Sequence, residues 1–262
     1  MSFKYKFSRL YEKTIKSNYF NSDFKIKSKW NKLTWLSCDN ESVDVFYVTN
    51  ESKIYIAKFY KDLTNYKLNL IKRLENSIYT EEYLDDDMIY FDSEQRFSSH
   101  VVLYDRIEFS SLCIPKFIQD ETVSMRLLFD CLDYIHNKKI LHNDIKPDNI
   151  MFDGKHIKLI DFEFAVDFET KKFNNLNVLS MYKHPKMWRN QNYFSKKKDF
   201  WAAICSIFYI YNNYDIFFEL SSVFEENEFN EFENYMVVKK FIFENNDIKN
   251  IIKIYYWNIF DH

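Results

Sequence analysis

One glycine stands in this chain of 262 residues, and it follows an aspartate, Asp153-Gly154. Ile150-Met151-Phe152 lies on one side and Ile157-Lys158-Leu159-Ile160 on the other. Asp-Gly between two short apolar runs is the strongest short-range signal for a β-hairpin, since glycine accepts the positive φ that such turns demand. Asn149 and Asp161 lie just outside the two ends of that hairpin, and antiparallel pairing brings those ends together. Whatever fold the chain adopts has to keep these two residues as neighbours.

An amide oxygen beside a carboxylate gives a hard cation such as Mg²⁺ two ligands and leaves room for nucleotide phosphates. Asp144, held in a loop by Pro147, is placed to accept the proton of an incoming hydroxyl. Lys146, two residues further on, can face a transferred phosphoryl group and offset its charge. Metal ligands, proton acceptor and cation at these spacings are what phosphoryl transfer needs. Polar residues that merely cap the turns of a hairpin are the plainer reading, and it does not account for all four together.

Two motifs extend the pattern: His142-Asn143-Asp144-Ile145-Lys146-Pro147-Asp148-Asn149, then Asp161-Phe162-Glu163. Together they resemble the eukaryotic-type protein kinases, whose catalytic loop reads H-R-D-x-K-x-x-N and is followed by D-F-G. Asn143 replaces the arginine and Glu163 the glycine. The resemblance implies an α+β, two-lobed fold, with an antiparallel five-stranded small lobe and a mainly helical large lobe trimmed at its C-terminus. Residues 1–30 would form an N-terminal helical extension, 31–108 the small lobe and 109–262 the large lobe. ATP and Mg²⁺ are the implied cofactors and a protein hydroxyl the implied acceptor. Asp144 and Lys146 take the catalytic roles, and Asn149 and Asp161 hold the metal.

Upstream, strand-like runs at Leu33–Leu36, Val43–Val48 and Ile54–Phe59 predict three antiparallel strands, and Met88–Phe91 with Val101–Tyr104 adds two more. Ile56-Ala57-Lys58 resembles the V-A-I-K strand, where the lysine grips the α- and β-phosphates. By the same resemblance Ala57 and Met151 sandwich the adenine, Tyr104 is the gatekeeper, and Asp105, Arg106 and Ile107 form the hinge that binds it. A helix from Asn65 to about Ile78 should carry a glutamate for Lys58. One register places Lys67 there, the other Glu75. The phosphate-covering turn has no glycine, only Ser37-Cys38-Asp39-Asn40-Glu41-Ser42. Its backbone cannot approach phosphates closely, and Asp39 and Glu41 repel them, so weak ATP affinity is expected.

From Glu121 to His136 apolar residues recur at helical spacing and lead into the catalytic loop. Beyond Asp161, Ser180, Tyr182 and His184-Pro185-Lys186 stand where the family has its activation segment. Lys186 replaces a glutamate there, and Asn143 removes the arginine that would hold a phosphorylated loop, so activity without loop phosphorylation is expected. Asp199-Phe200-Trp201 resembles D-x-W, whose aspartate accepts bonds from the catalytic loop. Residues from Phe217 onward read as two or three further helices.

The formal net charge of -3 argues against nucleic-acid and membrane-surface partners. Trp201–Tyr211 is about half what a bilayer requires. Cys38, Cys113, Cys131 and Cys205 are scattered without metal-ligand spacing, as expected of reduced thiols in a cytoplasmic or nuclear protein. The residues leave a homodimer open. Compactness and an AT-rich type of composition resemble kinases of large DNA viruses. Two other readings stand beside a serine/threonine-type protein kinase. His142-Asn143-Asp144 with Ile160-Asp161-Phe162-Glu163 is also similar to choline and aminoglycoside kinases, and the missing glycines would suit a pseudokinase acting as a binding or competing module.

Overall fold

Runs rich in β-branched and aromatic residues suit a half-buried pleated surface; Val, Ile, Phe and Tyr fill β2 (Val43–Asn50) and β3 (Lys53–Tyr60), and β1 (Lys32–Cys38), with Thr34 and Trp35, pairs alongside β2. With β4 (Tyr83–Tyr90) and β5 (Ser98–Asp105) they make one antiparallel sheet in the order β1-β2-β3-β5-β4. The computed structural model describes residues 32–38, 43–50, 53–60, 62–90, 98–169, 182 and 195–212. The helix expected over residues 1–30, the turn at Asp39 and Glu41, Ser180, His184-Pro185-Lys186 and the helices expected from Phe217 lie outside the described residues.

Register fixes which face each side chain of β3 takes. Ala57 pairs with Phe46 and Leu103, while Lys58 pairs with Val45 and Val102 on the other face. Phe46 and Phe59 pack edge to face at 5.0 Å on the Ala57 side. Helix α1 (Asn65–Lys72) starts where the Thr64 hydroxyl accepts from the Lys67 amide, and it buries Leu68, Leu70 and Ile71. It is shorter than the helix expected to Ile78. Asn76 takes φ 60, and the Ser77 hydroxyl accepts from the Tyr79 amide, so the backbone turns away. Lys72 in its last turn reaches Asp86 of β4 at 2.6 Å, and Asp86 also bonds Tyr83 and, at 2.9 Å, His100.

Two compact units divide the chain: one runs up to Asn76 and resumes over Glu81–Arg106, and the other comprises Ser77–Thr80 and the chain from Ile107. In the second unit α3 (Glu121–Asn137) is capped by Asp120, whose carboxylate accepts from the Thr122 amide. It packs on α4 (Lys196–Asn212), with Phe129 and Phe200 edge to face at 4.8 Å and Ser124 bonded to the Tyr211 hydroxyl at 2.6 Å. Leu128, Leu132, Ile135, Ile204 and Ile207 are wholly buried between such elements. Each contributes roughly 2 kcal/mol of apolar burial. A short helix α2 (Ile114–Phe117) precedes α3.

Around this core run short strands: β6 (Phe109–Ser110), β7 (Ile140–Leu141), β8 (Ile150–Phe152), β9 (Ile157–Leu159) and β10 (Val166–Asp167). β7 pairs with β10, and β6-β8-β9 form a small sheet. Ser77–Thr80 adds to that sheet, because Leu159 donates its amide to the Tyr79 carbonyl at 2.8 Å and Thr80 bridges Leu159 in parallel. No helix among the described residues is long and apolar enough to cross a membrane.

Candidate active site

β8 and β9 pair in the register Ile150↔Leu159, Met151↔Lys158, Phe152↔Ile157, so the Asp-Gly hairpin is present. Its turn is tied by Asp153, which accepts from the amides of Lys155 and His156 at 2.9 and 2.7 Å, while Gly154 takes φ 92. At the open end Ile160 donates its amide to the Asn149 carbonyl at 3.0 Å. That rung puts Asn149 beside the residue that precedes Asp161, as the spacing predicted.

Asp144 is 7% exposed and Asn149 3%. The Asn149 amide nitrogen donates to the Asp144 carbonyl at 2.8 Å and to its carboxylate at 2.9 Å. Both partners only accept, so the amide must turn its Nδ2 toward Asp144 and its Oδ1 the other way. An amide oxygen so directed, with the Asp161 carboxylate at the same end of the hairpin, fits a hard divalent cation. The Lys146 ammonium lies 3.0 Å from the Asp144 carboxylate. Partial burial works to lower the Lys146 pKa, but the hydrogen bond to Asp144 and the charges of Asp144, Asp161 and Asp148 outweigh it and hold the group above its ordinary value. Lys146 therefore stays charged wherever such a site would work.

His142 is wholly buried and joins the loop to the far strand. Its Nε2 donates to the Ile160 carbonyl at 2.9 Å and its Nδ1 accepts from the Asp144 amide at 3.3 Å. Only the neutral ring with its proton on Nε2 can make both bonds. The ring packs on Phe162 at 4.6 Å. Beneath them Asp199 of α4 accepts from the amides of His142 and Asn143 at 2.9 and 3.0 Å and bonds His136 at 2.9 Å. Full burial pushes the Asp199 pKa up, but the hydrogen bond and charge of His136, with the bond from the His142 backbone amide, prevail and hold it below the usual carboxylate range. Asn143 and Asp161 both sit in left-handed backbone, φ 66 and 67, conformations that cost non-glycine residues energy and cluster at functional sites.

In the first unit Lys58 is 4% exposed and bonds both carboxylate oxygens of Glu81, at 3.0 and 2.9 Å, with its ammonium 5.0 Å from the centre of the Tyr104 ring. Glu81 replaces Glu75 in this pairing. Glu75 lies beyond the end of α1 and is exposed, and α1 itself contains no acidic residue to offer, Lys67 included. No helical periodicity marks Glu81, which stands in the extended link before β4. Ala57 is a second correction: it is fully buried on the face of β3 opposite Lys58, because adjacent residues of a strand point opposite ways. Ile56 shares a strand face with Tyr60 and lies opposite Tyr104, next to the Lys58 pairing. Asp105 ends β5 and pairs with Lys53 at 2.9 Å. Ile107 and Met151 belong to the second unit and are half-buried, Met151 in the middle of β8.

Residues 71–255 match the family described as Protein kinase domain. The chain is 25% identical over 195 residues to serine/threonine-protein kinase ppk21 of Schizosaccharomyces pombe, covering 70% of this chain and 34% of that one. It is 30% identical over 143 residues to casein kinase II subunit alpha' of Saccharomyces cerevisiae, 47% of this chain and 42% of the relative. A protein of Acanthamoeba polyphaga mimivirus named as a serine/threonine-protein kinase is 25% identical over 178 residues, 60% of this chain and 62% of the relative. The chain thus spans less than two thirds of the length of each. With most of its length matched by that one family, and with the hairpin, loop and central helix arranged as described, the chain belongs to the protein kinase domain family.

Proposed function

We propose that this chain is a serine/threonine-type protein kinase that transfers the γ-phosphate of ATP to a protein hydroxyl. One observation carries the reading: a buried carboxylate, Asp144, is held by Asn149 and Lys146 at one end of a hairpin whose other strand leads directly into Asp161. Asp144 takes the proton of the acceptor hydroxyl. Lys146, kept charged, balances the phosphoryl oxygens as the bond to the leaving group breaks. Lys58, oriented by Glu81, serves the nucleotide phosphates. Asn149 and Asp161 would hold Mg²⁺, which supplies charge neutralisation to the phosphates when bound. Serine or threonine as acceptor is supported by the names of the relatives, and protein over choline-like alcohols by the matching family.

The test is phosphate transfer from radiolabelled ATP with Mg²⁺ to casein and to the chain itself, for wild type, Asp144→Asn and Asp161→Asn. Transfer by wild type and a loss on the order of 10²–10⁴-fold in Asp144→Asn is the expected result. Nucleotide binding without transfer would assign the chain to a pseudokinase role instead.

A further inference from the structure

Lys198 is a cation in a place with little room for one. It lies in the first turn of α4, is 5% exposed, and sets its Nζ 2.9 Å from Oδ1 of Asn143 in the catalytic loop. Taking an ammonium out of water is costly unless it is paired and hydrogen-bonded, so its retention here calls for a use. Asn143 passes the bond on: its Nδ2 donates to the Phe164 carbonyl at 3.0 Å, while its backbone amide donates to Asp199 at 3.0 Å. The direction of this relay is forced. An ammonium only donates and a carbonyl only accepts, so the side chain between them must accept at one end and donate at the other, as an amide does. Asparagine also tolerates the φ of 66 at this position better than most residues.

The relay joins three pieces of chain: α4, the residue immediately before Asp144, and the turn immediately after Asp161-Phe162-Glu163. We propose that Lys198 is a positioning residue, acting through Asn143 to lock the loop that carries Asp144 to the turn that follows Asp161, with no phosphate group in the brace. The proposal rests on the phosphate-transfer reading above. It also explains the departure at Asn143. An arginine there would set a second cation against Lys198 in a buried place.

The experiment uses the full chain, treated with phosphatase, and compares wild type, Lys198→Met, Lys198→Gln, Asn143→Arg and the double variant Asn143→Arg/Lys198→Met. Transfer to casein is measured with kcat and the KM for ATP separated. Lys198→Met should lower kcat at least tenfold with KM within about twofold, and Lys198→Gln, which keeps an N–H donor, should recover most of the loss. Asn143→Arg should be as impaired as Lys198→Met, and removing Lys198 from it should raise kcat at least fivefold. A Lys198→Met kcat within twofold of wild type overturns the proposal, and so do single losses that simply multiply in the double variant. If wild type transfers no phosphate, the proposed function fails on its own. The brace is then judged by amide hydrogen exchange over residues 143–145: at least tenfold faster exchange in Lys198→Met supports it, and unchanged exchange overturns it.

Discussion

Lys58 takes its carboxylate from Glu81, and the alternative at Glu75 makes a direct comparison available. Glu81→Gln removes the negative charge paired with an almost fully buried ammonium, and breaking such a pair costs roughly 3–5 kcal/mol. It should lower kcat/KM for ATP by at least tenfold and the midpoint of urea unfolding with it, while Glu75→Gln leaves both within error. Asp199 offers a test by pH. Its folded pKa lies below the unfolded 3.8, so its contribution to stability is complete above that value and is lost as pH falls through the lower, folded one. Wild type should therefore lose stability below about pH 4 more steeply than Asp199→Asn, which should already be weaker at pH 7 by about 3 kcal/mol. Asp144, Lys146, Asn149 and Asp161 were legible because a single turn and a few residues of loop set their spacing. Glu81 was not, since its position depends on where α1 stops, and that was decided by Asn76 and Ser77. Ala57 was misplaced for a reason visible in the sequence itself. Neighbours on a strand face opposite ways, so it could not share a surface with Lys58.

At the scale of elements, the β8–β9 hairpin carries the site and the chain's one glycine sets its turn. A Cβ at Gly154 would meet only Phe109, at 3.8 Å, so no clash opposes a side chain there. The obstacle is the φ of 92. Gly154→Ala should cost about 1–2 kcal/mol in unfolding free energy, with the loss traceable to backbone strain, while Gly154→Asn should cost less. Helix α1 depends on its cap, and Thr64→Ala should cost about 1 kcal/mol in the same measurement. The first three strands and the length of α3 could be read from strand-like runs and from helical spacing, whereas β4 begins at Tyr83, five residues before the run at Met88 that marked it. The C-terminal end of α1 could not, because apolar residues such as Leu74 and Ile78 continue the helical pattern past the point where the backbone leaves it.

For the whole molecule, a chain of this family that binds nucleotide must be stabilised by it. At about 100 times its dissociation constant, Mg²⁺-ATP adds about 2.7 kcal/mol, or roughly 5–10 °C in Tm for a chain of this size. Asp161→Asn should abolish most of the shift, and ATP with EDTA should give little. Ser77–Thr80, the strand-like segment lodged beside β9, has a different consequence. No single scissor cut through the sequence separates the two units, because four residues of the first stretch complete the ladder of the second. A fragment starting at Ile107 would keep the catalytic loop yet bare the amide of Leu159, an open rung on an apolar strand that invites other chains to fill it.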